Sequence, residues 1–286
     1  MIMDVAKTIS QVREIISAAK TDGKTIGFVP TMGALHQGHF SLIEAAKKNC
    51  DFVIVSIFVN PTQFGPCEDV DKYPNTFEAD CENCRSLGVD LIFAPSAGEM
   101  YPSENITWVS VDSLDEGLCG RSRPGHFRGV TTVCAKLFNI VGPDIAFFGQ
   151  KDAQQAIIIK RMVADLNMPL KIQVCPTVRS ENGLALSSRN SYLTDSQLKQ
   201  APLIYAALQE AEILIASDIR DVEAIRNEMK KVLEIAPDIR IDYIDIVSAE
   251  SLKPLDMLSG EILIAIAAFL GNARLIDNII VDVDKT

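Results

Sequence analysis

The 286-residue chain carries 27 basic and 38 acidic side chains, for a net charge of −11, with 48% hydrophobic and 23% charged residues. That balance excludes collagen-like, coiled-coil and disordered classes, and it speaks against broad binding to nucleic acid or anionic membranes, which needs a basic field. A small anionic ligand stays compatible, provided that positive groups are gathered locally. The longest apolar stretches, such as FVIVSIFV and ILIAIAAFL, are strand-sized and fall short of the ~18 residues of a membrane span. The N-terminus MIMDVAKTISQVREII lacks the basic start, apolar stretch and small-residue cleavage site of a signal peptide. A cytoplasmic protein is expected, and its seven scattered cysteines, an odd number, are expected to be reduced thiols. Cys81 and Cys84 form a lone CxxC with no second pair at finger spacing, so an ordinary helix face is expected there rather than zinc.

Apolar runs alternate with amphipathic stretches through the first two-thirds of the chain. TIGFVP (25–30), DFVIVSIFVN (51–60), VDLIFAP (89–95), ITWVSV (106–111), DIAFFG (144–149) and LKIQVCPTV (170–178) predict short buried strands. SLIEAAKKN, NTFEADCENCRSLG, GVTTVCAKLFNIV and DAQQAIIIKRMVADLN between them carry apolar residues at helical spacing. Alternation of this kind predicts a Rossmann-like parallel sheet with helices on both faces. Past residue 180 the pattern changes. DSQLKQAPLIYAALQEAEILIAS and DVEAIRNEMKKVLEI predict two helices, and IRIDYIDIV, EILIAIAAFLG and NARLIDNIIVDV predict closely spaced strands. The expected organisation is therefore an α/β domain over 1–180 and a smaller C-terminal α+β lid domain over 181–286 with an antiparallel sheet.

In an open α/β sheet, ligands bind at the carboxyl ends of the strands. PTMGALHQGHF (30–40) sits at such a point and holds two of the three histidines, His36 and His39. Gly33-x4-Gly38 has P-loop spacing, yet His39-Phe40 stands where Lys and Ser/Thr belong. Three readings of H-x-x-H are open: half of a metal site, a purely structural turn, or a phosphate site. Metal is disfavoured because His126 lies far off in sequence with no obvious carboxylate partner. Two imidazoles at a helix N-terminus, where the dipole and unpaired N–H groups attract anions, favour the phosphate reading.

Four ordered blocks then carry a resemblance. HQGH after the first long strand is similar to the H-x-G-H signature of nucleotidyltransferases and class I aminoacyl-tRNA synthetases. PTMGALHQGHF, FVNPTQFGP (58–66), the block RPGHFRGVTTVCAKLFNIVGPDIAFFGQKDAQQ (123–155) and LALSSRN (184–190) together resemble the pantothenate synthetase family, over roughly residues 20–195. The resemblance implies an ATP- and Mg²⁺-dependent ligase that adenylates pantoate, releases pyrophosphate, and passes the pantoyl group to β-alanine with release of AMP. It implies that Met32, Gly33, Ala34, Leu35, His36, Gln37, Gly38 and His39 form the nucleotide loop, with His39 as the usual proton donor. Gly149, Gln150, Lys151 and Asp152 would meet phosphate and ribose, Val178 the adenine, and Leu186, Ser187, Ser188 and Arg189 the triphosphate. Gln63 and Gln155 would hold pantoate by its hydroxyls and carboxylate, with Asn60 and Gln63 near the β-alanine end, and Val130 and Val133 could receive pantoate's gem-dimethyl group.

Two positions depart from the family pattern: Gln150 stands where Glu is common, and Leu186 where Met is usual. The polar segment PCEDVDKYP (66–74) is expected to gate the site. Magnesium ligands stay unassigned; Asp80 is a candidate. A homodimer is implied by the resemblance alone. Two rival functions remain in view: a nucleotidyltransferase that keeps the nucleotide in its product, and a nucleotide sensor without turnover. Neutral amides in FVNPTQFGP weigh against the first, and retention of both histidines, Lys151 and Ser187-Ser188-Arg189 against the second.

Overall fold

The computed structural model describes residues 3–65, 74 and 76–285; most of the expected gate, residues 66–73, lies outside them. The chain divides into two compact units, one of residues 1–112, 123–149 and 158–176, the other of residues 113–122, 150–157 and 177–286.

The first unit is built on a six-stranded parallel sheet of order β1-β4-β3-β2-β5-β6. Its strands are β1 (Asp4–Ala6), β2 (Ile26–Thr31), β3 (Phe52–Ile57), β4 (Leu91–Phe93), β5 (Ile145–Gly149) and β6 (Lys171–Cys175). β2 and β3 run in register from Ile26 opposite Phe52 to Thr31 opposite Ile57. Their near-continuous apolar sequence is that of strands covered on both faces. Val29, Val53, Val55, Ile92 and Phe147 share one core with Leu42, Ile43 and Ala46 of the first long crossover helix. Each such buried side chain contributes about 1.5–3 kcal/mol.

Connecting segments hold α1 (Ile9–Thr21), α2 (Gln37–Asn49), α3 (Phe77–Ser86), α4 (Ala97–Met100), α5 (Leu118–Ser122), α6 (His126–Val141) and α7 (Ala153–Asp165). Cys81 and Cys84 lie on α3, and the six described cysteines are free thiols. Burial pushes the Cys84 and Cys134 thiols up to about 12.

The strand expected at 106–111 does not form. Its alternation serves a different contact: the Thr131 hydroxyl of α6 donates to the Val109 carbonyl at 2.6 Å, and the Val109 N–H donates to Thr132 at 3.1 Å. Ile106 on this extended segment is 86% exposed, so no sheet edge covers it. The short edge strand β1, conversely, pairs with β4 through only three residues, too few for alternation to announce it.

In the second unit β7 (Ile239–Ser248), β8 (Glu261–Leu270) and β9 (Ala273–Asp282) form an antiparallel sheet in sequential order. α8 (Asp195–Gln200), α9 (Leu203–Ala216) and α10 (Val222–Leu233) precede it. Ile262, Ile264 and Ile266 of β8 share a core with Ala207, Leu208 and Ala211 of α9 and Ile225 and Met229 of α10. The long helix predicted from DSQLKQ onward is two helices, because Pro202 stands at the start of α9 and cannot donate the N–H that a continuous helix would need there. No described helix is long and apolar enough to cross a membrane.

Candidate active site

The sheet order reverses between β2 and β5. From β2 the chain steps outward through β3 and β4, then returns to add β5 on β2's other edge. Loops leaving the carboxyl ends of these two strands diverge, and that divergence opens the crevice in which doubly wound folds bind ligands. β2 leads there into residues 32–36, and β5 ends at Gly149.

The loop after β2 turns sharply. Gly33 (φ 87°) and Ala34 (φ 52°) are successive left-handed residues, and the alanine bears a steric cost of about 1–2 kcal/mol for it. Asp80 of α3, only 2% exposed, holds this bend. Its carboxylate accepts from the Ala34 N–H at 2.9 Å, the Leu35 N–H at 2.8 Å and the Thr76 hydroxyl at 3.0 Å. His36 then stands at the N-cap of α2.

The two histidines form a reciprocal cap. His36 Nδ1 accepts from the Gly38 N–H at 3.1 Å, and His39 Nδ1 accepts from the His36 N–H at 3.3 Å. Their ring centroids lie 4.2 Å apart. An Nδ1 that accepts carries no proton, so each neutral ring bears its hydrogen on Nε2 and is there a donor. A side chain at Gly38 would sit 2.9 Å from the His36 ring, which explains the glycine between the histidines. The structural reading of the turn is thus met by Nδ1 of each ring.

A second cluster follows β3. Asn60 is 1% exposed and its amide is fully engaged. Its Oδ1 accepts from the Tyr101 hydroxyl at 2.9 Å and the Thr62 hydroxyl at 3.0 Å, while its Nδ2 donates to Gln63 Oε1 at 3.2 Å and the Gly129 carbonyl at 3.3 Å. Gln63 is thereby fixed with its oxygen toward Asn60 and its Nε2 toward Met32 Sδ, 2.8 Å away. A thioether is a weak acceptor, so that N–H₂ group is held but poorly satisfied. Burial pushes the Tyr101 phenol up, which keeps it a donor to Asn60.

Three contributors to this cluster were not legible in the sequence. Gly129 of α6 is one: a Cβ there would lie 2.3 Å from the Thr62 carbonyl, so only glycine lets the helix pass this close. His126 is another. Its Nδ1 lies 2.8 Å from the Gln63 carbonyl, which can only accept, so this nitrogen bears the proton and Nε2 accepts from Arg123 at 2.9 Å. Tyr101 is the third. Val130 and Val133 are buried on α6.

In the second unit a 3-10 turn spans Gln150–Asp152. Asn278 of β9 grips it, donating to the Gln150 and Lys151 carbonyls at 3.0 and 2.9 Å and accepting from Gln150 Nε2 at 2.8 Å. The adjacent Asp277, 3% exposed, receives both arms of Arg179 at 2.5 and 3.0 Å. Burial pushes its carboxyl up against the opposing pull of Arg179 and, more weakly, Lys151. The Lys151 ammonium lies 3.8 Å from Asp152. Of two consecutive glutamines, Gln154 is committed to the loop before it, donating to the Leu114 and Gly117 carbonyls at 2.9 Å, while Gln155 is half-buried.

A short hairpin brings Val178 and Leu186 together through a 3.0 Å backbone bond. Ser187 then caps the 3-10 turn Ser188–Tyr192 by accepting from the Arg189 N–H at 3.3 Å, with Arg189 exposed. The sequence-predicted residues are thus divided, with 32–39, Asn60, Gln63 and Gly149 in the first unit and Gln150–Asp152, Gln155, Val178 and Leu186–Arg189 in the second.

Comparison with known proteins bears directly on this arrangement. The profile of the pantoate-beta-alanine ligase family matches residues 4–280. A pantothenate synthetase of Moorella thermoacetica is 53% identical over 282 residues, covering 99% of this chain and 100% of that protein. Among solved structures, pantothenate synthetase from Thermus thermophilus has a TM-score of 0.92 at 42% identity, covering 98% of this chain and 99% of that one. Pantoate-beta-alanine ligase from Francisella tularensis, solved in complex with beta-gamma ATP and beta-alanine, has a TM-score of 0.79 at 40% identity, with 97% of each chain covered. With its fold and nearly its whole length in common with these proteins, the chain belongs to the pantoate-beta-alanine ligase family.

Proposed function

We propose that this chain is an ATP-dependent ligase that condenses pantoate with β-alanine to pantothenate. One oxygen of the pantoate carboxylate attacks the α-phosphorus of ATP and pyrophosphate leaves, giving pantoyl adenylate. The β-alanine amine then attacks the acyl carbon, loses a proton, and AMP leaves. The observation that carries this reading is the histidine-capped loop at the switch point of the sheet, in a chain that matches the family over residues 4–280.

Both reactants of the first step are anions, so donors aimed at the phosphates are the main requirement. His36 and His39 supply Nε2–H donors, with main-chain contacts from Met32, Gly33, Ala34, Leu35, Gln37 and Gly38. With Nδ1 of His39 committed to the His36 N–H, the neutral ring gives a hydrogen bond rather than a proton, since a proton lost from Nε2 would leave an imidazolate. Lys151, Ser187, Ser188 and Arg189 neutralise triphosphate charge, Gly149 admits it closely, Asp152 meets the ribose, and Val178 and Leu186 flank the nucleotide. Gln150, in place of the common Glu, acts through its bond to Asn278. Gln63 and Gln155 hold pantoate with neutral amides, which leave its carboxylate nucleophilic, and Asn60 sets the direction of the Gln63 amide.

No three described His, Cys, Asp or Glu residues are grouped to hold a metal. Mg²⁺ enters this reading with the nucleotide, on whose phosphates it offsets charge. The same reading has the enzyme working as a cytoplasmic homodimer. Incubating the protein with ATP, Mg²⁺ and pantoate should release pyrophosphate, and adding β-alanine should yield AMP and pantothenate. Absence of pantoate-dependent pyrophosphate would refute the assignment, and retention of the nucleotide in the product would favour the nucleotidyltransferase alternative.

A further inference from the structure

Asp80 is a buried carboxylate to which the reading above gives no role, and it lies against the loop proposed to bind the nucleotide. It is 2% exposed, and every group with which it bonds is a donor: the Ala34 and Leu35 N–H groups and the Thr76 hydroxyl, all within 3.0 Å. Oδ2 takes two of these bonds and Oδ1 one, which leaves the carboxylate little capacity for Mg²⁺, an ion that demands near-octahedral coordination. A negative charge beneath a phosphate loop also opposes ATP by simple Coulomb repulsion. Its presence there calls for a compensating task, and the geometry supplies one. Ala34 is left-handed at φ 52° without being glycine, next to Gly33 at φ 87°, and its N–H is one of those the carboxylate draws in. Immediately after this bend, His36 caps α2.

We propose that Asp80 is a positioning residue for ATP: it holds residues 33–35 in the left-handed bend that sets the two histidines, and it does so without binding metal. The proposal rests on the ATP-dependent reading above. Only a carboxylate meets three donors with acceptors alone, because the amide of asparagine would turn an N–H₂ toward one of them.

Two effects of Asp80→Asn have opposite signs. If the charge acted only by repulsion, removing it would tighten ATP; if Asp80 positions the loop, removing it weakens ATP. The test is calorimetric titration of the full-length protein with ATP, once with Mg²⁺ and once in EDTA, alongside steady-state KM for pantoate and melting curves to verify folding. Asp80→Asn should weaken ATP about 10- to 100-fold, the effect of losing a charge-assisted hydrogen bond, equally with and without Mg²⁺, and leave the pantoate KM unchanged. Adding Ala34→Gly to Asp80→Asn should restore several-fold of the affinity, since glycine adopts the left-handed bend with little steric cost.

ATP affinity unchanged or tighter in folded Asp80→Asn would overturn the proposal, as would a loss confined to the Mg²⁺ titration or no recovery on adding Ala34→Gly. Should Asp80→Asn fail to fold, Thr76→Val removes one donor from the same oxygen and should weaken ATP by a smaller factor, with no change again overturning it. A wild-type chain that binds ATP in neither buffer would instead defeat the functional reading itself.

Discussion

The histidine loop of the first unit and the lysine turn of the second present similar chemistry but are held in different ways. In the loop, the two bonds that define the cap run from His36 to Gly38 and from His36 to His39, within three residues of each other. In the turn, the grip on Gln150 and Lys151 comes from Asn278, 128 and 127 positions later. The loop therefore carries its cap as a local motif, while Asp80 and Gln63 reach it from farther along the chain. The turn is gripped from a distance: a strand from the far end of the chain holds the Gln150 and Lys151 carbonyls. Local caps fold early and cheaply; a turn held at long range inherits the stability of the sheet that holds it.

That contrast can be broken most sharply at Asp277. Asp277→Ala leaves Arg179 half-buried without its partner, and stability should fall by about 3–5 kcal/mol, read by urea denaturation. Adenylation should fall with it, because Asn278 is the next residue on the same strand. An unchanged denaturation midpoint would show that the bracket does not stabilise the turn. Next in size is Lys151→Ala, expected to lower the rate of pantoate-dependent pyrophosphate release by about 10²- to 10³-fold with little change in melting temperature. His39→Ala should lose a similar factor and in addition fray the start of α2, visible as reduced helicity. If both variants turn over like the wild type, the roles given to them are wrong.

A smaller effect is expected where α6 meets the turn after Asn60. Gly129→Ala places a methyl against the Thr62 carbonyl and should cost about 1–3 kcal/mol, with KM rising for pantoate more than for ATP. The reverse pattern would remove Gln63 from the pantoate side. Smallest at neutral pH is the effect of the buried thiols. Cys84 and Cys134 are raised from 9 to about 12 by burial, so above pH 9 the unfolded chain loses protons that the fold keeps. Stability should therefore be unaffected below pH 9 and decline from pH 9 toward 12, each thiol contributing a slope of at most about 1.4 kcal/mol per pH unit. Equilibrium unfolding at pH 8 and 10 checks the sign.

How far the sequence could be read follows the same division between local and distant contacts. The long strands and the helix starting at His36 were visible because apolar runs and helix-start residues express neighbours in sequence. The expected strand at 106–111 failed because alternation reports which faces differ and not what lies beside them; here Thr131 and Thr132 took the place of a neighbouring strand. Asn60 and Gln63 were legible as amides at a strand end, but not the direction of their bonds, which depends on Tyr101 and on the absence of a side chain at Gly129. Asp80 was considered for magnesium; its bond from Thr76 is local to the first turn of α3, but the Ala34 and Leu35 N–H groups lie 46 and 45 positions away and only the fold brings them to it. Asn278, Asp277 and Arg179 gave no signal at all, since nothing in a β-strand or hairpin marks one polar residue as a bracket for a turn more than a hundred residues away.

The double use proposed for the histidine rings has a consequence for motion. The main-chain hydrogens of His36 and Gly38 are held by Nδ1 atoms, and each can exchange with solvent deuterium only when its ring swings away. A nucleotide gripping the opposite nitrogen opposes that swing. Binding should therefore slow deuterium uptake at two amides whose protecting bonds involve no nucleotide atom, so that occupancy of the phosphate site is recorded in the breathing of the first turn of α2.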